Sequence, residues 1–193
     1  MSERNPIELF RKVYAAAVAT GMRDPNAMCL ATIDPDGGPS TRMVLLKDFD
    51  EQGFVFYTNL ESRKGLAIRS NPKVALTFYW RELQRQVQVR GVAQPVSDAE
   101  ADAYFATRPR GSQLGAWASL QSRPLKSRMA LLLEVAKIEA RHLGRSIPRS
   151  PVWSGFRVVP HAIEFWKAGA FRLHDRRLFE RVEGGWHETR LYP

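Results

Sequence analysis

Short strand-like segments separated by turn signals constrain the fold of this chain more than any other feature. Apolar or alternating runs are divided by turn-forming residues at 34–38 and 48–53, and the connection at 81–84 is short enough for a hairpin. The pattern predicts strands at about 27–34, 39–47, 54–58, 73–80, 85–95, 155–159, 162–167, 176–182 and 186–191. We therefore expect an antiparallel barrel as the centre of the fold.

Helix signals fall before, between and after these strands. Asn5 and Pro6 predict the start of a helix over 6–20, because an N-cap and a first-turn proline precede apolar residues of helical period. The remaining segments predict helices at about 62–70, 97–106 and 124–142, with loop signals and a short apolar piece over 108–123. No repeat or linker interrupts the chain, so we expect an α+β, β-dominated single domain over 1–193, an antiparallel barrel with peripheral helices.

The charge balance favours an anionic ligand. The chain has 29 Lys and Arg against 20 Asp and Glu, a formal net charge of +9, scattered over strands and turns rather than gathered in a tail. This distribution fits phosphorylated small molecules better than nucleic acid or a membrane surface. Cys29, the single cysteine, has apolar neighbours and is expected to be a buried, inert thiol. With no secretory segment or membrane-length apolar run, we expect a cytoplasmic protein without a metal site.

The densest cluster of cations and hydroxyls lies between residues 42 and 64. Arg63 and Lys64 follow Ser62, a predicted helix N-cap, and a helix N-terminus provides backbone N–H donors for a phosphate. The alternative is a solvated hairpin rim. Arg42 and Lys47 have opposite strand parity, so a bulge intervenes, they serve different ligand groups, or one of them is merely exposed.

Two further groups have spacings that suit a ligand. Tyr104, Arg108 and Ser112 follow one another at intervals of four, and could converge on one phosphate or simply lie on a helix surface. The triplet Arg172, His174 and Arg176 shares strand parity and is predicted to project from one face, where an anion or polar ligand would relieve the repulsion.

Gln86 and Trp166 allow two interpretations each. Gln86 belongs to an alternating polar face that is either solvated or a neutral hydrogen-bonding wall for a heterocycle. Trp166 either packs in the core or stacks on a cofactor.

Nine motifs follow one another from about residue 5 to the C-terminus. They are Arg42-Met43-Val44-Leu45-Leu46-Lys47, Phe56-Tyr57-Thr58-Asn59, Ser62-Arg63-Lys64, Arg85-Gln86-Val87, Tyr104-Phe105 with Arg108-Pro109-Arg110, Ser112-Gln113-Leu114-Gly115-Ala116-Trp117, Gln121-Ser122, Phe165-Trp166, and Arg172-Leu173-His174-Asp175-Arg176. In this order and spacing they resemble the pyridoxine/pyridoxamine 5′-phosphate oxidase family of flavin enzymes.

The resemblance implies an FMN-binding split barrel that works as a homodimer, with FMN at the subunit interface and a C-terminal dimerisation and substrate-site region at about 150–193. The implied FMN contacts are Arg42, Met43, Val44, Leu45, Lys47, Tyr57, Thr58, Ser62, Arg63, Lys64, Gln86, Gln121, Ser122, Trp166 and Arg176, some of them from the partner subunit. The implied substrate contacts are Lys47, Tyr104, Arg108 and Ser112 for the phosphate, with Arg172 and His174 as the catalytic pair that covers and orients the ring.

The implied reaction is the oxidation of pyridoxamine 5′-phosphate or pyridoxine 5′-phosphate to pyridoxal 5′-phosphate. A hydride leaves the substrate C4′ for the flavin, and O2 then reoxidises the flavin with release of hydrogen peroxide. The alternatives are a flavin oxidase of the same fold with another substrate, of the phenazine-precursor type, and a non-catalytic flavin or pyridoxal-phosphate carrier. Few residues precede the first helix, so the N-terminal lid common in this family is expected to be short or missing.

Overall fold

The computed structural model describes residues 5–193 of the chain, and the short segment on which the expectation about the lid rests lies outside them. The described part contains β1 (Ala27–Ile33), β2 (Pro39–Leu45), β3 (Asp48–Asp50), β4 (Gly53–Asn59), β5 (Lys73–Trp80), β6 (Arg85–Pro95), β7 (Trp153–Lys167), β8 (Asp175–Val182) and β9 (Gly185–Leu191). The helices are α1 (Pro6–Ala19), α2 (Arg63–Ser70), α3 (Asp98–Thr107), α4 (Arg110–Ala118) and α5 (Arg128–Arg141).

All strand pairs in the sheet are antiparallel. The order is β2-β1-β5-β6-β7-β4-β3, and β8 and β9 branch from β7. The sheet curls so that β2 comes next to β4. A hydrogen bond shows this contact: the backbone N–H of Lys47, just after β2, donates to the carbonyl of Val55 in β4 at 2.9 Å. The predicted α+β class, dominated by an antiparallel barrel, is confirmed. The prediction of a single domain over 1–193 stays a prediction.

Helix α1 closes one end of the barrel. Asn5 accepts a hydrogen bond from the N–H of Ile7 at 2.9 Å, as an N-cap does, and the buried face of α1 presents Phe10 to the core. The Phe10 ring meets Phe54 and Phe78 with centroids 4.9 and 5.0 Å apart. Burying one such side chain contributes about 1.5–3 kcal/mol, so α1 is held mainly by this apolar face.

Strand β7 is continuous where the sequence predicted two strands. Its register against β6 shifts between Arg90 and Gly91, so that one extra residue, His161, bulges out of the ladder. The bulge breaks the alternation of apolar and polar residues, which explains the apparent gap. Gly91 is required there, since a Cβ on it would lie 2.4 Å from the carbonyl oxygen of Val159.

Three other boundaries also differ from the prediction. Residues 110–118, interpreted as loop with a short apolar piece, form α4, because its glycines and Pro109 obscured the helical pattern. Helix α5 begins at Arg128 after the N-cap Ser127 instead of near Pro124. The turn at 48–53 includes a three-residue strand, β3.

Cys29 is partly exposed, so the prediction of a buried thiol is wrong. In β1 the side chains of Met28 and Leu30 point into the core, and strict alternation turns Cys29 to the other face of the sheet. In residues 5–193 no helix is long and apolar enough to cross a membrane.

Candidate functional site

A cavity of about 670 Å³ opens between β2, β4 and the helices α3 and α4. It brings together residues that are up to about a hundred positions apart in sequence. Those that were predicted from the sequence are Met43, Val44, Leu45, Lys47, Tyr57, Thr58, Lys64, Tyr104, Arg108, Ser112 and Gln121. Trp153, at the start of β7, lines the same cavity and was not predicted.

Lys64 lies at one end of the cavity with neutral partners. Its Nζ is 2.8 Å from Oε1 of Gln121 and 3.1 Å from Oγ1 of Thr58, and Ser62 Oγ, which caps α2, is 3.3 Å away. Burial, with a smaller contribution from Arg42, lowers the pKa of Lys64 to about 8. The ammonium therefore lies beside the N-terminus of α2, and no carboxylate of residues 5–193 forms an ion pair with it.

Arg42 lies next to this lysine and is fixed by oxygen acceptors of β1 and β2. It donates to Thr32 Oγ1 at 2.7 Å, to Ser40 Oγ at 2.8 Å and to the carbonyl of Leu30 at 3.3 Å. Burial lowers the pKa of Arg42; the negative charge of Asp34 opposes this shift, and the positive charge of Arg63 adds to it. The side chain is thus a preorganised cation close to Lys64, although it does not line the cavity itself.

Arg63 is oriented by a residue that the sequence analysis missed. Its Nε donates to Oδ2 of Asp34 at 2.9 Å, and Asp34 is almost fully buried. The backbone N–H of Arg63 donates to Oγ of Ser122 at 3.2 Å, so Ser122 also meets the start of α2. An Asp beside a turn gave no signal of this role, because only the fold brings it to Arg63.

Aromatic rings form the other wall of the cavity. Tyr57 stacks on Tyr104 with ring centroids 4.1 Å apart and on Trp153 at 5.2 Å, with nearly parallel planes. Lys47 Nζ lies 6.0 Å from the centroid of the Tyr104 ring. Burial, assisted by nearby Glu100, raises the pKa of Tyr57 to about 12, so its phenol stays protonated at neutral pH.

Arg108 is the group in this wall that most clearly needs a ligand. Its guanidinium lies 4.6 Å from the Trp153 ring and 5.6 Å from the Phe105 ring, and burial lowers its pKa. Its Nη1 is buried and has no hydrogen-bond partner among residues 5–193. A buried donor without an acceptor costs about 1–3 kcal/mol, more for a charged group, so an anion in the cavity would remove a real penalty.

The parity argument for Arg42 and Lys47 does not apply. Strand β2 ends at Leu45, so Lys47 lies beyond it and turns towards the aromatic wall. Arg42 stays at the α2 end. The two cations therefore belong to different ends of the site.

A second group of predicted residues lies away from this cavity. Gln86, Trp166 and Arg176 are direct cross-strand neighbours on β6, β7 and β8, and Gln86 and Trp166 line a separate cavity of about 180 Å³. The His174 ring is 4.7 Å from the Trp166 ring. Within one chain, these residues do not join Lys64 and Arg108.

The prediction that Arg172, His174 and Arg176 project from one strand face is wrong. Arg172 lies in a short turn with φ of +64°, and β8 begins only at Asp175. Arg176 donates to Glu164 at 2.8 Å, which removes the supposed repulsion among three cations. Strand parity has no meaning where the backbone is not extended, and the positive φ values of this turn fall on residues other than glycine, which do not mark them in the sequence.

Comparison with known proteins identifies the family. Residues 14–142 match the family described as pyridoxamine 5′-phosphate oxidase, and residues 153–193 match the pyridoxine 5′-phosphate oxidase C-terminal dimerisation region. The chain belongs to the pyridoxine/pyridoxamine 5′-phosphate oxidase family. It is 60% identical over 190 residues to the pyridoxine/pyridoxamine 5′-phosphate oxidases of Brucella canis and Brucella suis, covering 97% of this chain and 94% of each relative. The predicted family, and the expectation that the chain is an enzyme, are confirmed.

Solved structures agree with the predicted split-barrel fold. PhzG from Burkholderia lata, in complex with tetrahydrophenazine-1-carboxylic acid, is 35% identical with a TM-score of 0.94, over 100% of this chain and 94% of that one. A pyridoxamine 5′-phosphate oxidase-related, FMN-binding protein from Nostoc punctiforme is 18% identical, with a TM-score of 0.76 over 95% of this chain and 97% of that one. The second likeness concerns the fold alone.

Proposed function

We propose that this chain is an FMN-dependent oxidase that converts pyridoxamine 5′-phosphate and pyridoxine 5′-phosphate to pyridoxal 5′-phosphate, with O2 as electron acceptor and hydrogen peroxide as product. The observation that carries the proposal is a pair of unneutralised cationic centres, one at Lys64 and one at Arg108, on a single cavity. Two such centres suit a phosphorylated cofactor and a phosphorylated substrate. The Brucella relatives, which are pyridoxine/pyridoxamine 5′-phosphate oxidases by name, support the same substrates.

The Lys64 end fits the phosphate of FMN. Positive charge and hydrogen-bond donors are supplied by Arg42, Lys64 and the N-terminal turn of α2. The hydrogen-bond partners of Lys64 are neutral side chains, so no negative charge among them would repel an anion. Ser62, Arg63, Gln121 and Ser122 surround the same turn. Bound FMN would supply the redox chemistry, accepting a hydride from the substrate and passing the electrons to O2.

The Arg108 end fits the substrate phosphate. Arg108 and Lys47 would supply its counter-charge, and the hydroxyls of Tyr104 and Ser112 its neutral hydrogen bonds. The phosphate does not react, so the binding energy it provides can be used to hold the reacting carbon in place. This role explains why Arg108 is buried at all.

The second group of residues requires a partner subunit in this proposal. Gln86, Trp166 and Arg176 lie on one face of the sheet, with His174 against Trp166. In a homodimer with FMN at the interface, this face of one subunit would complete the cavity of the other. Arg172 and His174 would then orient the substrate ring. The match of residues 153–193 to a dimerisation region supports this arrangement.

A second candidate is an oxidase of a phenazine precursor, favoured by the likeness to PhzG and its bound tricyclic acid. A steady-state assay of peroxide release would compare pyridoxine 5′-phosphate with an unphosphorylated tricyclic substrate. We expect the phosphorylated substrate to be preferred by at least about 100-fold in kcat/KM, because a phosphate brings more negative charge and more acceptors to Arg108 and Lys47 than a single carboxylate does. Preference for the tricyclic substrate would overturn the proposal, and a yellow protein that releases no peroxide with either would indicate a carrier.

A further inference from the structure

Arg108 is held in the cavity wall by aromatic rings instead of by acidic side chains. Its guanidinium carbon lies 4.6 Å from the centroid of the Trp153 ring, within the range of a favourable cation–π contact. Among residues 5–193, no Asp or Glu lies within ion-pair distance of it. The contrast with Arg149 is direct, since that arginine is ion-paired with Asp98 and Asp102.

The choice of ring over carboxylate has a chemical consequence. A carboxylate would occupy the N–H donors of Arg108 and cancel its charge, and would have to be displaced by any incoming anion. An indole face holds the planar guanidinium through its π-system and leaves the donors at the edge free. The buried Nη1 without a partner is the donor that this packing leaves available.

Trp153 is itself a fixed platform. Its side chain is only 6% exposed and stacks parallel to Tyr57 at 5.2 Å. Its carbonyl accepts a hydrogen bond of 2.9 Å from Arg149, the arginine held by the two aspartates of α3. Trp153 is thus held both through its ring and through its backbone carbonyl, and it can set the position of Arg108.

We propose that Trp153 is a positioning residue for recognition of the substrate phosphate, acting through Arg108. This inference rests on the proposed function for the identity of the ligand. It adds a residue that lies outside the motifs that carry the family resemblance. Trp153 holds the guanidinium in the plane where its free edge meets a phosphate monoester. It selects for an anion because it supplies no competing negative charge.

The test is a double-mutant cycle on Trp153 and Arg108, with binding measured by calorimetry on the purified protein. The ligand is 4-deoxypyridoxine 5′-phosphate, a phosphorylated analogue that lacks the oxidisable group, so turnover is not needed. Trp153→Leu is expected to weaken binding about 30-fold in the wild-type background, the effect of losing one desolvated cation–π contact. In the Arg108→Ala background the same change is expected to have almost no effect, because the group it positions is gone.

Trp117→Leu is the matched control. Trp117 belongs to the same small apolar cluster and donates to the carbonyl of Pro148 at 2.8 Å, but it does not contact Arg108 or line the cavity. It should lower thermal stability as Trp153→Leu does while leaving the dissociation constant within about twofold. Trp153→Phe keeps a ring in place and should give an intermediate loss of affinity, so the inference can be tested even if the leucine variant misfolds.

The outcomes separate this inference from the proposed function. The inference is overturned if Trp153→Leu weakens binding as much in the Arg108→Ala background as in the wild-type background. It is also overturned if Trp153→Leu binds the analogue with wild-type affinity, or if the wild-type protein does not bind the analogue. If the wild-type protein binds the analogue and the cycle shows coupling, the inference stands. If that same protein then fails to oxidise pyridoxine 5′-phosphate, the proposed function is wrong although the inference stands.

Discussion

Lys64 combines burial with neutral partners, and this makes its charge sensitive to pH near neutrality. Its pKa is lowered to about 8, so the ligand-free chain loses this ammonium as the pH rises through that value. A bound phosphate favours the charged form, and binding above that pH therefore requires uptake of a proton. The lysine that anchors the proposed cofactor phosphate is thus also the group that makes its binding depend on pH.

We predict that the affinity for FMN falls between about pH 7 and about pH 9, by up to about tenfold per pH unit above pH 8. The measurement is a titration of FMN fluorescence quenching at several pH values. Lys64→Met should bind FMN more weakly and lose this slope, whereas Lys73→Met, at an exposed lysine of β5, should keep it. Equal slopes in wild type and Lys64→Met would show that another group is responsible.

Arg172 is expected to act on the substrate and not on the cofactor. It lies in the turn before β8 and is exposed in the single chain, ready to meet a neighbouring subunit. Arg172→Ala should lower turnover by at least about 100-fold, the usual loss when one preorganised charge is removed from a reacting centre. FMN affinity should remain normal, and Arg23→Ala, at an exposed loop arginine, should change neither quantity. Near-normal turnover in Arg172→Ala would rule out the assigned role.

The segment between β7 and β8 is a tight turn that carries both proposed catalytic side chains. Phe171 and Arg172 have consecutive positive φ values of +54° and +64°, an unfavourable conformation for residues other than glycine. The turn is closed by the N–H of Gly169, which donates to Nδ1 of His174 at 3.2 Å. This bond places the proton of a neutral His174 on Nε2, where it can face a ligand.

Gly169→Ala tests the turn as a unit. A Cβ at this position would lie 1.9 Å from the carbonyl oxygen of Leu173, so the turn has to open. We expect turnover to fall by at least about tenfold with FMN binding unchanged, because a small displacement of an orienting group is costly. Gly111→Ala, in α4 with open space around it, is the control and should behave as wild type. Unchanged turnover in Gly169→Ala would mean that the closed turn has no part in the reaction.

Helices and strands whose apolar residues recur with a clear period could be predicted from the sequence. Those that are defined by tertiary contacts could not. The alternation of β5 and β6 and the caps of α1 and α2 are local signals, and the structure follows them. Helix α4 and the continuous β7 were hidden, one by glycines and the other by a bulge. The predicted strands leave 168–175 outside the sheet, but the positive φ values of Phe171 and Arg172 had no signal, because neither residue is a glycine.

The site shows the same division. The basic residues and hydroxyls that line the cavity were predicted from their type and spacing, because phosphate chemistry restricts which residues can serve. Asp34 and Trp153 were missed, because their roles depend on contacts with Arg63 and Arg108 that only the folded chain creates.

As a whole molecule, the chain carries a site in two parts. The large cavity with Lys64 and Arg108 and the group around Gln86 and Trp166 lie at separate places along one sheet. The net charge of +9 suits a protein whose two ligands both carry phosphate. In the proposed function, a homodimer in which each subunit completes the other's site accounts for this separation.

The central claim is that this protein uses bound FMN to oxidise a phosphorylated vitamin B6 compound. The most direct test is an absorbance titration of the purified, FMN-loaded protein with pyridoxamine 5′-phosphate in the absence of oxygen. We predict that the flavin band bleaches as the substrate is added and returns when O2 is admitted, with formation of pyridoxal 5′-phosphate and peroxide. A flavin band that stays unchanged under these conditions would contradict the claim.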